Sequence, residues 1–304
     1  MNDRMSKIGR FFLAVAPTFE LELLAFPIFV VCLTALSFVF GGHCGPWQWW
    51  VSVGLTVSVG MVFRRDRMAL FASFFFLLFL ACFWLWSGLL VTLALTDVAT
   101  YHLPATRMLI EGWNPLVDAT PQALCAAMKV DPSEFHIWHV LSMPRAVWFF
   151  NAEAFFFTGE MLNLHYSLYP FLIIPFIIQM SRTFCVVLSR CLGLVVVLSV
   201  VVFLYLIEFE FVVDCVVACA GCGLLLAFYE LEVDGKWRWR TLFAFSFWMC
   251  VAKQPSMLHC AIFWSVFILF HLRNRRIVLR TAILGGMLLA PVVITCLSPF
   301  WTMC

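Results

Sequence analysis

Charge is what this chain has least of. Only 12% of its 304 residues are Asp, Glu, Lys or Arg, against 64% hydrophobic ones, and the mean hydropathy is +0.99. A water-soluble domain of this length could not hide so much apolar surface, because the fraction of a chain that folding buries grows only slowly with size. A soluble globule is therefore excluded, and with a net charge of only +2 no nucleic-acid partner is expected. Other signals are missing too. The basic stretch Met1–Arg10 leads into a long apolar region with no small-residue cleavage pattern, so it reads as a retained cytoplasmic tail rather than a removed signal. No internal repeat, low-complexity tract or appended soluble domain interrupts the sequence, which is read as one domain over residues 1–304.

Metal-binding patterns are equally thin. His136 and His139 stand near Glu134, but the two-histidine pattern with an intervening glutamate that zinc hydrolases use is absent. The thirteen cysteines lie mostly in apolar runs, with Cys215, Cys219 and Cys222 along one helix face, where a thiol behaves as a small hydrophobe. Cys44 and Cys125 fall in loops and could pair. These patterns support no metal or other cofactor.

What the sequence does hold is a series of apolar runs. About twenty apolar residues carry a helix across a bilayer, and runs of that kind, some short or broken, fall at about 21–40, 47–63, 69–95, 166–181, 191–207, 211–229, 241–253, 256–271 and 281–297. The expected fold is all-α, a polytopic transmembrane bundle of about nine spans. With the N-terminus inside, fifteen of the nineteen Lys and Arg face the cytoplasm, leaving Arg107, Lys129, Arg145 and Lys253 outside. That is the bias expected of basic residues toward the cytoplasm. It also decides how to read Lys253-Gln254-Pro255. A kink in one long helix would send the Arg273–Arg280 cluster outside, so a tight turn between two helices is expected. Trp47, Trp49 and Trp50, and Trp237 and Trp239, suit an interfacial aromatic belt.

One long external loop, about 96–165, separates the third and fourth spans and bears juxtamembrane helices. Residues 97–113 read as a helix capped by Thr96, with Pro104 its awkward member, and Gly112-Trp113-Asn114-Pro115 as the turn that ends it. Residues 146–165 are apolar but broken by Asn151, Glu153, Thr158 and Glu160, which suits a helix lying along the membrane interface.

Within the loop, Asp97 sits where a span meets water. Partial desolvation there raises a carboxylate pKa, and such a group could act as general base on an acceptor hydroxyl, or simply end the helix in water. Tyr101, one helical turn on, could orient that carboxylate or stack on a sugar. His102 reads more readily as structural than catalytic, and Trp113 as an interfacial anchor or a sugar platform. Arg145 and Lys253 are isolated cations beside apolar segments. Each could pair with a lipid phosphate or snorkel to the interface. Arg107 is a further external cation.

The run Asp97-x-x-x-Tyr101-His102-Leu103-Pro104, followed by Glu111-Gly112-Trp113-Asn114-Pro115, resembles the first large periplasmic loop of bacterial GT-C-type membrane glycosyltransferases, relatives of the dolichyl-phosphate-mannose and aminoarabinose transferases. Pro144-Arg145-x-x-Trp148, Phe157-Thr158-Gly159-Glu160, Lys253 in Ala-Lys-Gln-Pro, and Ser298-Pro299-Phe300-Trp301-Thr302 resemble later features of the same proteins, in the same order. The resemblance covers about residues 85–304. It implies an inverting transfer of a sugar from a polyprenyl-phosphate donor to a glycan, lipid or protein acceptor, on the periplasmic side of a bacterial inner membrane. It also implies that Asp97 is the base, with Tyr101, His102, Arg107, Trp113, Arg145 and Lys253 binding substrate. Val98 stands where many members carry a second acid, which speaks against a metal requirement, and members are usually longer, so the chain reads as a shortened copy. The competing expectation is a non-enzymatic membrane protein or an inactive remnant. The scarcity of charge within the spans argues against a transporter.

Overall fold

The structure, a computed structural model, describes residues 2–63, 67–87, 103–114, 146–159, 164–187, 212–234 and 238–300. Ten helices account for nearly all of them: α1 (Asn2–Val39), α2 (Pro46–Phe63), α3 (Arg67–Ser87), α4 (Leu103–Ile110), α5 (Ala146–Thr158), α6 (Leu164–Val187), α7 (Val212–Asp234), α8 (Trp239–Ala252), α9 (Gln254–Phe270) and α10 (Arg275–Phe300). The described residues contain no strand. Eight of the nine expected apolar runs coincide with helices, and 191–207 lies outside the described residues. Among the described residues three stretches are long and apolar enough to cross a membrane, Glu20–Val39, Val216–Val233 and Arg275–Val293. Ala69–Leu85, Pro170–Met180 and Pro255–Phe270 are shorter apolar helices.

The core forms where α1 meets its neighbours. Phe26 of α1 lies among Trp49, Phe76, Phe150 and Phe171, with ring centroids 4.8 to 6.3 Å apart. Edge-to-face contacts dominate this cluster, as the aromatic quadrupole favours. Trp49 is fully buried and stacks on Phe157 at 4.8 Å, so of the three α2 tryptophans expected in an interfacial belt only Trp47 and Trp50 are exposed. Elsewhere large apolar side chains on α2, α3, α9 and α10 face outward, Phe270 at 84% exposure. A surface of that extent suits lipid, not water.

The expected turn at Lys253 is found. Lys253 alone is extended, with φ −153° and ψ 142°, and Pro255 opens α9 where a missing N–H costs no helical bond. Ser256 Oγ donates to Met249 O, and Trp264 Nε1 donates to Ser246 Oγ at 2.9 Å, so α8 and α9 run antiparallel from this point. At the end of the bundle distant from this turn, Glu230 of α7 holds Arg238 in an ion pair and accepts a hydrogen bond from Thr183 of α6 at 3.2 Å.

Helix α5 departs from expectation. Instead of lying along an interface it is packed inside the bundle, with every residue from Ala146 to Ala154 buried. It runs antiparallel beside the second half of α1, Phe149 against Phe38 at 5.2 Å and Glu153 against Thr34. A helix that is apolar all round can meet either lipid or protein. Here α1, α2, α4 and α6 supply protein on all sides.

Candidate functional site

The described part of the 96–165 segment is fastened to the end of α1. Helix α4 stops at a glycine because Gly112 adopts φ +94°, a conformation that residues with a Cβ avoid. Gly112 N–H donates to Leu109 O at 3.3 Å and Trp113 N–H to Met108 O at 2.9 Å, the pair of bonds that closes a Schellman cap. The same device ends α1, where Gly41 has φ +75°, Gly41 N–H donates to Phe38 O, and Gly42 N–H donates to Ser37 O. The two caps are joined: Asn114 Nδ2 donates to Phe38 O at 3.1 Å, and both Asn114 and Trp113 are buried. Pro104 is the second residue of α4, where a proline is tolerated.

Beside this junction lies a buried acid. Glu153 of α5 has no exposed surface, and its Oε1 accepts a hydrogen bond from Thr34 Oγ1 at 3.0 Å. The Cys44 thiol and the Gly45 N–H, in the connector between α1 and α2, bear on the same carboxyl. Neither completes a hydrogen bond to Oε2, which has no partner among the described residues. Burial dominates these contacts and pushes the Glu153 pKa up from 4.5 to about 8. At neutral pH the group therefore holds its proton. Cys44 is a free thiol whose pKa is raised well above 9.0, first by burial and then by the neighbouring Glu153. The connector is braced by Gln48, whose Nε2 donates to His43 O at 2.7 Å. A protonated acid enclosed in this way holds two helices and a connector in register. It is poorly placed to exchange protons with a bulky substrate.

Three residues further along α5 an open cleft of about 350 Å³ begins, lined by Trp50, Ala81, Trp84, Phe156 and Phe157. Five apolar or aromatic side chains from α2, α3 and α5 make a surface for a hydrocarbon chain.

Of the residues singled out in the sequence, Asp97, Tyr101, His102 and Arg145 lie outside the described residues, as do His136, His139 and Cys125. Arg107 is placed on α4 with its side chain 72% exposed, pairing with Glu111 one turn on at 3.1 Å. Trp113 is only 8% exposed, a core residue of the docked turn. Lys253 is half-buried at the α8–α9 turn. Among the described residues no three His, Cys, Asp or Glu side chains come together in a set that could hold a metal ion. The Glu153 pocket was not anticipated. Its sequence signal was a carboxylate at the centre of an apolar run with no basic residue between Arg145 and Arg182 to pair with it.

The fold defines a class: the described residues are helical, and three helices among them are long and apolar enough to cross a membrane. Compared with known protein families, with characterised proteins and with solved structures, the chain matches none.

Proposed function

We propose that the chain is a polytopic membrane glycosyltransferase of nine spans, with its N-terminus in the cytoplasm of a bacterial inner membrane. It moves a sugar from a polyprenyl-phosphate donor to a glycan, lipid or protein acceptor on the periplasmic face. The observation that carries this reading is the run Asp97–Pro115, whose second half is α4 and its glycine-capped turn, pinned by Asn114 to the end of α1. A loop that must present a base to a lipid-linked substrate needs such an anchor, because catalysis depends on holding groups in position. The aromatic cleft on α2, α3 and α5 supports the reading from the donor's side, since an isoprenoid chain needs an apolar surface.

In this reading the acceptor hydroxyl oxygen bonds to the anomeric carbon of the sugar. The bond from that carbon to the phosphate oxygen breaks, and polyprenyl phosphate leaves. Asp97, between α3 and α4, takes the hydroxyl proton. Arg107, Arg145 and Lys253 hold the donor phosphate, while Tyr101 and His102 contact the sugar. Trp113 anchors the turn that carries them. No step calls for a metal. The test is sugar transfer from prenyl-phosphate donors in reconstituted membranes. Asp97→Asn keeps the shape and removes the base, so turnover is expected to fall by about two to four orders of magnitude while donor binding survives. Full turnover in that variant would remove Asp97 from the mechanism.

A second reading, a non-enzymatic membrane protein that moves protons, is favoured by one observation. Glu22 on α1 and Glu153 on α5 are carboxylates with no exposed surface in a helical bundle, and buried ionisable groups mark proton relays in membrane proteins. Proton flux into proteoliposomes that is lost in Glu22→Gln would favour it over the transferase.

A further inference from the structure

The chain's last acidic residue is Asp234, and the seventy residues after it carry eight Lys and Arg and no Asp or Glu. Two of these cations are engaged: Arg238 by Glu230, and Arg240 over the Phe63 ring at 4.9 Å. Four others fall within eight residues at the α9–α10 connector: Arg273, Arg275, Arg276 and Arg280. All four are exposed, and none forms an ion pair among the described residues. The carboxylate that reaches this connector, Glu232 of α7, is paired with His271. The connector is ordered by its own backbone, with Asn274 N–H donating to His271 O at 2.8 Å and Ile277 N–H to Asn274 O at 3.0 Å, so the arginines project from a defined turn.

An exposed charge cluster is ordinarily a solvated face. The surroundings of this one argue otherwise. The stretch suited to cross a membrane begins at Arg275, so Arg280 stands more than a turn inside it, about 6 Å below Arg276 along the helix. The same helix face continues through Ile283 and Met287, both about half exposed. One stripe of α10 thus passes from two guanidinium groups to two apolar side chains, with spacings of four, three and four residues. A guanidinium binds phosphate with two parallel hydrogen bonds, and an arginine inside a span reaches toward the headgroup layer. A free phosphate would make no use of the apolar half of the stripe. A lipid uses both halves.

We propose that Arg276 and Arg280, with Arg273 in the preceding connector, form a binding site for the phosphate of an anionic membrane lipid whose acyl chain lies along Ile283 and Met287. The site rests on the helical membrane character of the chain and is independent of the transferase reading, which it leaves standing if it fails. The experiment is native mass spectrometry of the full chain in detergent, titrated with phosphatidylglycerol or with zwitterionic phosphatidylcholine of the same acyl chains. Phosphatidylglycerol adducts are expected to persist at higher collision energy than phosphatidylcholine adducts. In R276Q/R280Q the apparent affinity for phosphatidylglycerol should drop roughly thirtyfold, from the contribution of two arginines at a lipid surface. R276K/R280K should fall between the wild type and R276Q/R280Q, because the charge remains while the two-bonded guanidinium contact is lost. Equal retention of the two lipids, or an unchanged phosphatidylglycerol affinity in R276Q/R280Q, would overturn the site. Displacement of phosphatidylglycerol by inorganic phosphate at matched concentration would equally overturn it, because the apolar half of the stripe would then contribute nothing.

Discussion

Replacing Glu153 with glutamine tests the buried acid directly. The side chain is enclosed by α1, by the Cys44–Gly45 connector and by its own helix, and its carboxyl holds a proton up to about pH 8, against 4.5 ordinarily. Below pH 4.5 the group is neutral in both folded and unfolded chains and titration has no effect on stability. Between 4.5 and about 8 the unfolded chain releases the proton and the folded one keeps it, so the unfolded state is favoured progressively as pH rises. At about 1.4 kcal/mol per pH unit, the loss is about 3 kcal/mol by pH 7 and about 5 kcal/mol above pH 8, where it levels off. Glu153→Gln cannot ionise, and its Oε1 still accepts from Thr34 Oγ1. Thermal unfolding in detergent, followed by tryptophan fluorescence from pH 4 to 9, should therefore show the wild type losing stability across that window relative to the variant. The two proteins should be closest near pH 4, with the variant clearly the more stable at pH 8. A difference between them that does not change with pH would refute the argument. So would a variant that is the weaker protein at pH 8.

Two further substitutions probe the docked turn and the helix packing. Gly112→Ala forces a Cβ into the left-handed region and should cost about 1–2 kcal/mol. Asn114→Ala, which strands the bond to Phe38 O, should cost about 1 kcal/mol. Protease sensitivity of the 96–145 segment is expected to rise in both, and unchanged cleavage would show that the turn does not hold the loop. Gly223→Ala sets a Cβ 2.5 Å from the buried Phe245 ring between α7 and α8 and should destabilise by about 1–3 kcal/mol. Gly54→Ala, with nothing within 4 Å on α2, should be neutral or stabilising by up to about 1 kcal/mol from helix propensity. Equal melting shifts for these two glycines would contradict the α7–α8 contact.

Much of the fold was legible in the residues. Long apolar runs that lack charge can satisfy their backbone groups in lipid only as helices or closed barrels, so eight of the nine runs found as helices follow from composition and length. The turns were legible wherever a residue has a local backbone requirement. Gly112 ends α4 because it alone lacks a Cβ, and Pro255 follows an extended Lys253 because a proline restricts the residue before it. Lys253 itself was expected at a turn and is at one.

Tertiary structure alone decided which apolar faces meet protein and which meet lipid. Trp49 and Trp50 are adjacent and chemically identical, yet one is buried against Phe157 and the other is 59% exposed. Helix α5, expected at an interface from its scattered polar residues, is enclosed, so Glu153 becomes a neutral acid instead of a solvated one. Trp113, open in sequence to a sugar or to the membrane surface, is spent on packing. The physical reason is common to all three. In a soluble helix the polar face shows which side is outside, but in this chain lipid and protein interior are equally apolar, and the pattern along a helix carries no record of which it touches. Only the contacts that other helices bring across the chain, such as Thr34 to Glu153 over 119 residues, supply that information.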